Sequence, residues 1–258
     1  MSILKLEHVT MWFGGLTALN NFRLELAPGE LVGLIGPNGA GKTTIFNIIT
    51  GVYKPSQGRI FFMDQEITGM RPDLITKAGI ARTFQNIRLF KGLSVMENVL
   101  IANHVHLKNN YLEAILKLPG YRREERRMRE QSLALLERVG LADLRNEQAS
   151  ALPYGMQRRL EIARALATNP KLLLLDEPAA GMNPKEAEDL TEFIKEIQTE
   201  FNLSIFLIEH HMDVVMNISQ RILVLDYGNT IASGKPDKVQ NDQRVIEAYL
   251  GVNENVED

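Results

Sequence analysis

The chain contains no cysteine. Disulfides, cysteine-ligated zinc and thiol catalysis are therefore excluded, although that absence identifies no compartment. Long apolar runs are missing too. Nothing approaches the ~18 consecutive residues needed to span a bilayer, and Leu172 to Leu175 reads as a buried strand. The formal net charge of −3 offers no general attraction for nucleic acid. No internal repeat and no low-complexity segment occurs. The start, Met1-Ser2-Ile3-Leu4-Lys5-Leu6-Glu7, lacks the pattern of a signal peptide, so the chain is expected to remain in the cytosol. What is present is ordinary for a globular protein: 258 residues, 45% hydrophobic and 24% charged. That is enough for one large α/β domain, or one with a subdomain attached.

Against this background, Gly36-Pro37-Asn38-Gly39-Ala40-Gly41-Lys42-Thr43-Thr44 spells a phosphate cradle. The apolar run Leu31-Val32-Gly33-Leu34-Ile35 precedes it, and Ile45-Phe46-Asn47-Ile48-Ile49 reads as a helix after it. A strand feeding a glycine-rich loop that opens a helix is the context this motif requires. The glycines let backbone N–H groups turn inward toward an anion, and the helix N-terminus adds its positive end. Lys42 would reach the β- and γ-phosphates, and the Thr43 hydroxyl would ligate Mg²⁺. The motif implies binding of a nucleoside triphosphate.

The first ~35 residues alternate as strands do: Leu4, Leu6 and Val9, then Phe22, Leu24 and Leu26. The helix from Lys42 is expected to stop near Gly51, with Pro55 barring its continuation. A short strand around Ile60-Phe61-Phe62 and a polar-rich stretch to Gly79 follow. From about Ile87 to Ala151 the pattern is mostly helical, with Leu133, Leu136 and Val139 at near-helical spacing. Tyr121 to Glu130 is dense in charge of both signs and reads as a solvated helix face. The α/β pattern returns with Lys171 to Asp176 and Ser204 to Glu209. Arg221 to Asp226, Tyr227-Gly228-Asn229 and Thr230 to Ser233 suggest a hairpin. A short helix, Asp242 to Leu250, precedes a polar tail.

Leu172-Leu173-Leu174-Leu175-Asp176-Glu177-Pro178 is an apolar strand ending in two carboxylates. Central strands read this way, and ligands bind at their carboxyl ends. Asp176 is placed to hold Mg²⁺, directly or through water. Glu177 would polarise the water attacking the γ-phosphorus, a role that typically contributes ~10²–10⁴ in rate. Asn183-Pro184-Lys185-Glu186 starts a helix, with Asn as cap and Pro at the first position. Leu207-Ile208-Glu209-His210-His211 is another strand ending in polar residues. A histidine there is ordinarily a surface residue, but beside the Asp176 strand His210 could reach the γ-phosphate. Gln85, in Thr83-Phe84-Gln85, reads by itself as a surface glutamine.

Together these pieces resemble the ATP-binding-cassette (ABC) ATPases. The matches are Gly36 to Thr44, Gln85, Leu152 to Arg164, the strand with Asp176 and Glu177, and His210, in family order over nearly the whole chain. The resemblance implies a P-loop core with an antiparallel β subdomain and an inserted helical subdomain. It divides a single domain into residues 1–86 and 156–258 as nucleotide-binding core and 87–155 as the helical part, which would dock on a permease. It gives Phe13 the role of stacking on adenine, Gln85 that of sensing Mg²⁺ and the attacking water, and His210 that of a switch at the γ-phosphate. ATP and Mg²⁺ are the implied cofactors, the latter held by Thr43, Asp176 and Gln85. The implied partners are two transmembrane permease subunits, a second cassette and, indirectly, a solute-binding protein, with no nucleic acid. The implied place is the cytoplasmic face of the inner membrane, peripherally bound.

The departures are informative. The family signature Leu-Ser-Gly-Gly-Gln reads here Leu152-Pro153-Tyr154-Gly155-Met156. In the family its serine hydroxyl and first backbone N–H groups bind the γ-phosphate of the opposite subunit. Pro153 has neither hydroxyl nor N–H, and Tyr154 is bulky. Gly155 and the following helix start retain anion affinity. This implies pairing with a different cassette whose own signature completes the site over Lys42. Asn183 stands where the family usually has Asp. Phe13-Gly14-Gly15-Leu16, Arg82-Thr83-Phe84-Gln85, Pro178 to Pro184 and Val245 to Gly251 resemble the larger ATPase of branched-chain amino acid uptake systems. Urea or amide importers and a lipopolysaccharide exporter share parts of these patterns. A soluble scaffold ATPase is the alternative from another class.

Overall fold

The computed structural model describes residues 2–106 and 119–250. Two sheets organise them. The first is antiparallel, built from β1 (Leu4–Phe13), β2 (Leu16–Leu26), β4 (Gln57–Phe62) and β5 (Gln65–Glu66) in the order β2-β1-β4-β5. The second contains β3 (Leu31–Ile35), β6 (Ile80–Arg82), β7 (Leu172–Asp176), β8 (Ser204–Ile208), β9 (Arg221–Asp226) and β10 (Asn229–Gly234). Its order is β10-β9-β3-β8-β7-β6; all neighbours run parallel except the edge hairpin β9-β10.

Nine α-helices are present among the described residues. They are α1 (Lys42–Ile49), α2 (Pro72–Ala78), α3 (Val95–Asn103), α4 (Pro119–Arg138), α5 (Tyr154–Leu166), α6 (Pro184–Glu200), α7 (Met212–Ile218), α8 (Pro236–Gln240) and α9 (Gln243–Leu250). None is long and apolar enough to cross a membrane. The stretch before Gly79, which composition left as polar-rich, holds α2, with Pro72 at its first position and Gly79 closing it in the left-handed region. The helical spacing around Leu133 belongs to α4, which begins well before it. Along α4, Arg123, Glu125, Arg126, Arg127, Arg129 and Glu130 are exposed and Met128 is buried, as a solvated face requires.

The continuous apolar run of β7 follows from burial on both faces. Leu172 and Leu174 pack into the core between the two sheets with α1, including Phe46 and Phe206 at 5.3 Å. Leu173 and Leu175 pack on the opposite face against α3, α5 and α6. Strand register then decides where the loops meet. Ile208 lies opposite Leu34 on one side and Asp176 on the other, and Arg82 lies opposite Leu174. The carboxyl ends of β3, β6, β7 and β8 therefore open at one edge of the sheet, where ligands of such sheets bind.

Candidate nucleotide site

At the end of β3 the chain turns into α1 through residues whose backbone tolerates only glycine. Gly36 and Gly41 have φ of 151° and 106°, and a Cβ would approach the Leu225 carbonyl to 2.0 Å and the Ala18 carbonyl to 2.5 Å respectively. The loop is thus fixed by sterics as well as by its need for inward amides. Lys42 is buried, and its Nζ donates to the carbonyls of Gly36 at 2.7 Å and Pro37 at 2.9 Å. Burial pushes its ammonium below the ordinary lysine range, against the attraction of Glu177 and Asp176.

A cleft of about 530 Å³ lies over this loop, lined by Asn38, Gly39, Ala40, Gly41, Lys42, Thr43 and Thr44. Phe13, from the antiparallel sheet, lines it too; half-exposed, it meets Tyr53 edge-to-face at 5.2 Å. From the other strands come Gln85, Glu177 and His210. Both Glu177 oxygens are engaged. Gln85 Nε2 donates to Oε2 at 2.7 Å, and His210 Nε2 donates to Oε1 at 2.6 Å. Glu177 itself has φ of 47°, a conformation disfavoured for a residue with a side chain. Its N–H bonds the Ile208 carbonyl at 2.8 Å, so the sheet register holds the carboxylate in place.

Gly36, buried, and Pro37, half-buried, form the shoulder of the loop, and Asp176 lies beneath the cleft floor, 3% exposed. Its Oδ2 accepts from Arg82 Nη2 at 2.7 Å. Arg82 also donates to Asn47 at 2.7 Å and stacks on Phe84 and Phe46. It joins α1, the Gln85 segment and the Asp176 strand. For Mg²⁺ the available donors are the Thr43 hydroxyl, the Asp176 carboxylate and the Gln85 amide oxygen. No cluster of three or more His, Cys, Asp or Glu side chains able to hold a metal exists among the described residues. A single carboxylate with neutral oxygens suits a cation that draws its remaining ligands from phosphates and water.

The signature residues Pro153, Tyr154, Gly155 and Met156 do not line this cleft. They open α5 on a separate exposed face, without a side-chain cap. A Cβ on Gly155 would meet nothing within 4 Å, so the space beside it is open to something outside the chain.

Four residues to which the sequence pattern assigned no role fasten the site. Arg82 was visible only as part of a subfamily pattern. Glu209 is buried and accepts from Ala179 N at 2.7 Å and His210 N at 3.0 Å, tying the turns after β7 and β8 together. Arg158 and Glu161, on α5, hold each other at 2.7 Å in the interior. Glu161 also accepts from Arg88 N at 3.1 Å, and burial raises its pKa against the pull of Arg158. A charged residue inside an amphipathic run was the available signal, and it is also the signal of a solvated face.

Comparison with known proteins identifies the family and the fold. The family model for the ABC transporter matches residues 19–180. This chain belongs to the ABC transporter family. A second model, for the branched-chain amino acid ATP-binding cassette transporter, matches residues 229–255 of the cassette. The cassette is 49% identical over 249 residues to the high-affinity branched-chain amino acid transport ATP-binding protein LivG of Escherichia coli K12, covering 96% of this chain and 98% of that one. Its fold matches the ADP conformation of MJ1267, an ATP-binding cassette of an ABC transporter, with a TM-score of 0.85 and 34% identity over 97% of this chain and 99% of the other. It also matches the dimeric, post-hydrolysis cassette MJ0796 bound to ADP and Pi, with a TM-score of 0.75 and 28% identity, covering 90% and 98%.

Proposed function

We propose that the cassette is the ATP-hydrolysing motor subunit of a membrane importer for branched-chain amino acids. The observation that carries the hydrolytic role is the meeting of Gln85, Glu177 and His210 over the phosphate loop, with both Glu177 oxygens held. The solute class rests on the likeness to LivG and on the match over residues 229–255. Chemistry follows the phosphoryl-transfer template, in which positioning and charge neutralisation dominate. Lys42 and the loop amides hold phosphate charge. Thr43, Asp176 and Gln85 would hold Mg²⁺, which when bound neutralises charge on the phosphate oxygens. Glu177 accepts the proton of the attacking water, and His210 and Gln85 fix its carboxylate. Phe13 offers its ring face to the adenine.

The cassette pairs with a second, different cassette and two permease subunits at the cytoplasmic face of the membrane, and serves a solute-binding protein indirectly. Pro153 supports the unequal pair, since it supplies neither hydroxyl nor N–H to a partner's phosphate. Residues 87–155 form the unit facing the permease. A groove beside the Gln85 segment, where Phe90 and Ile101 are exposed, supports that assignment.

The test is affinity purification of the tagged Glu177→Gln chain from detergent-solubilised membranes with ATP, followed by mass spectrometry. Two permease subunits and a shorter second cassette are expected. A second copy of the same chain with a permease would reject the unequal pair, and cytosolic partners alone would reject the transporter.

A further inference from the structure

Tyr154 stands where the signature pattern carries its first glycine, and the hydrolytic reading leaves its phenol unused. It opens α5 and is 42% exposed, yet its hydroxyl donates to the Ala180 carbonyl at 2.9 Å. Ala180 in turn bonds through its N–H to the Glu177 carbonyl at 3.1 Å, closing a tight turn after the carboxylate. One helical turn further along α5, Arg158 is fully buried. Its Nη1 donates to the Phe84 carbonyl and to Glu161, each at 2.7 Å, and its Nη2 to the Gln85 carbonyl at 2.8 Å. Nη2 also lies 3.4 Å from the Tyr154 hydroxyl.

Residues four apart share one face of a helix. One face of the first two turns of α5 therefore grips two segments. Tyr154 holds the turn after Glu177, and Arg158 holds the main chain of Gln85. The side chains of Glu177 and Gln85 then meet at 2.7 Å. A glycine at position 154 would remove the first grip, and with it the hydroxyl oxygen that accepts from the same Arg158 Nη2 that holds Gln85.

We propose that Tyr154 is a positioning residue that ties the signature end of α5 to the Glu177 turn. A second cassette pressing on Pro153 to Met156 then moves the Gln85–Glu177–His210 cluster of the same chain. The signature face, weakened as a phosphate donor by Pro153, acts as a lever reporting the partner to this chain's own site. The catalytic consequence rests on the hydrolytic role proposed for Glu177.

Amide hydrogen exchange on the full chain tests the tie without reference to turnover. Tyr154→Phe keeps the ring and removes the hydroxyl. Exchange is expected to quicken about fivefold at residues 180–182 and at 85–88, the change set by one ordinary hydrogen bond. Tyr154→Gly should reproduce it, with the same two segments affected. In the assembled transporter, Tyr154→Phe should lower kcat roughly threefold to tenfold and leave KM for ATP within about twofold, as a transition-state effect requires. Quickening confined to 180–182, with 85–88 unchanged, would overturn the lever, and so would unchanged kcat in an assembly that Glu177→Gln inactivates. If Glu177→Gln keeps full turnover, the hydrolytic reading falls, while the exchange result still decides whether the tie exists.

Discussion

At Lys42 the chain accepts a buried cation to have it beneath a phosphate cradle. Its burial lowers the pKa, so the protonated form costs folding stability below the folded pKa, and that cost is relieved as pH rises through it. Phosphate binding needs the opposite state. ATP affinity of the chain should therefore fall with rising pH before the ordinary lysine value of about 10.4 is reached. Calorimetric titration across that range checks this, and Lys42→Ala should bind at least ~10-fold more weakly, with a flatter pH profile. At Arg82, the buried pair with Asp176 makes a second prediction. Arg82→Met leaves Asp176 charged and unpaired in the interior, which should destabilise the fold by about 3–5 kcal/mol in urea unfolding. Phosphate loop, paired carboxylates and Lys42 were legible because they lie in one short run each. Arg82, Arg158, Glu161 and Glu209 were not, because a side chain's burial depends on segments far away in sequence.

Among the elements, α6 begins with a capping box. Asn183 accepts from Glu186 N, and Glu186 accepts from Asn183 N, each at 3.0 Å, with Pro184 in the first turn. Asn183→Ala should cost about 1 kcal/mol of stability, read from thermal unfolding, with nucleotide affinity unchanged. The cap also gives Asn183 a complete local explanation, whatever it meets in a dimer. The same device at α3, Ser94 with Glu97, stands in the sequence just as openly but lies inside a stretch whose apolar pattern dominates the reading. Short elements were the harder ones. β5 has two residues and β6 three, too few to display a period, and both exist because a neighbouring strand supplies their partners.

On the scale of the whole molecule, the cassette presents two separate functional faces, the cleft over Lys42 and the open start of α5. In the proposed pair, a signature from the other cassette closes the cleft. With Pro153 in that position, an assembly built only from this chain should hydrolyse ATP at least ~10-fold more slowly than the mixed assembly, since a single lost oxyanion donor costs about 10²–10³. Equal rates for the two purified assemblies would remove the unequal pair.

The phosphate loop, the hydrophobic strand with its terminal acids and the capped start of α6 follow from local residue order alone. Each is a local pattern whose residue types are fixed by backbone sterics, strand burial or capping. Tertiary structure alone decided that Gln85, Glu177 and His210 become one cluster. Parallel register sets β6, β7 and β8 side by side and brings their loops to one edge. It also decided that Tyr154, bland as a side chain on an exposed helix start, reaches the turn after Glu177, because only the packing of α5 beside that turn brings hydroxyl and carbonyl together.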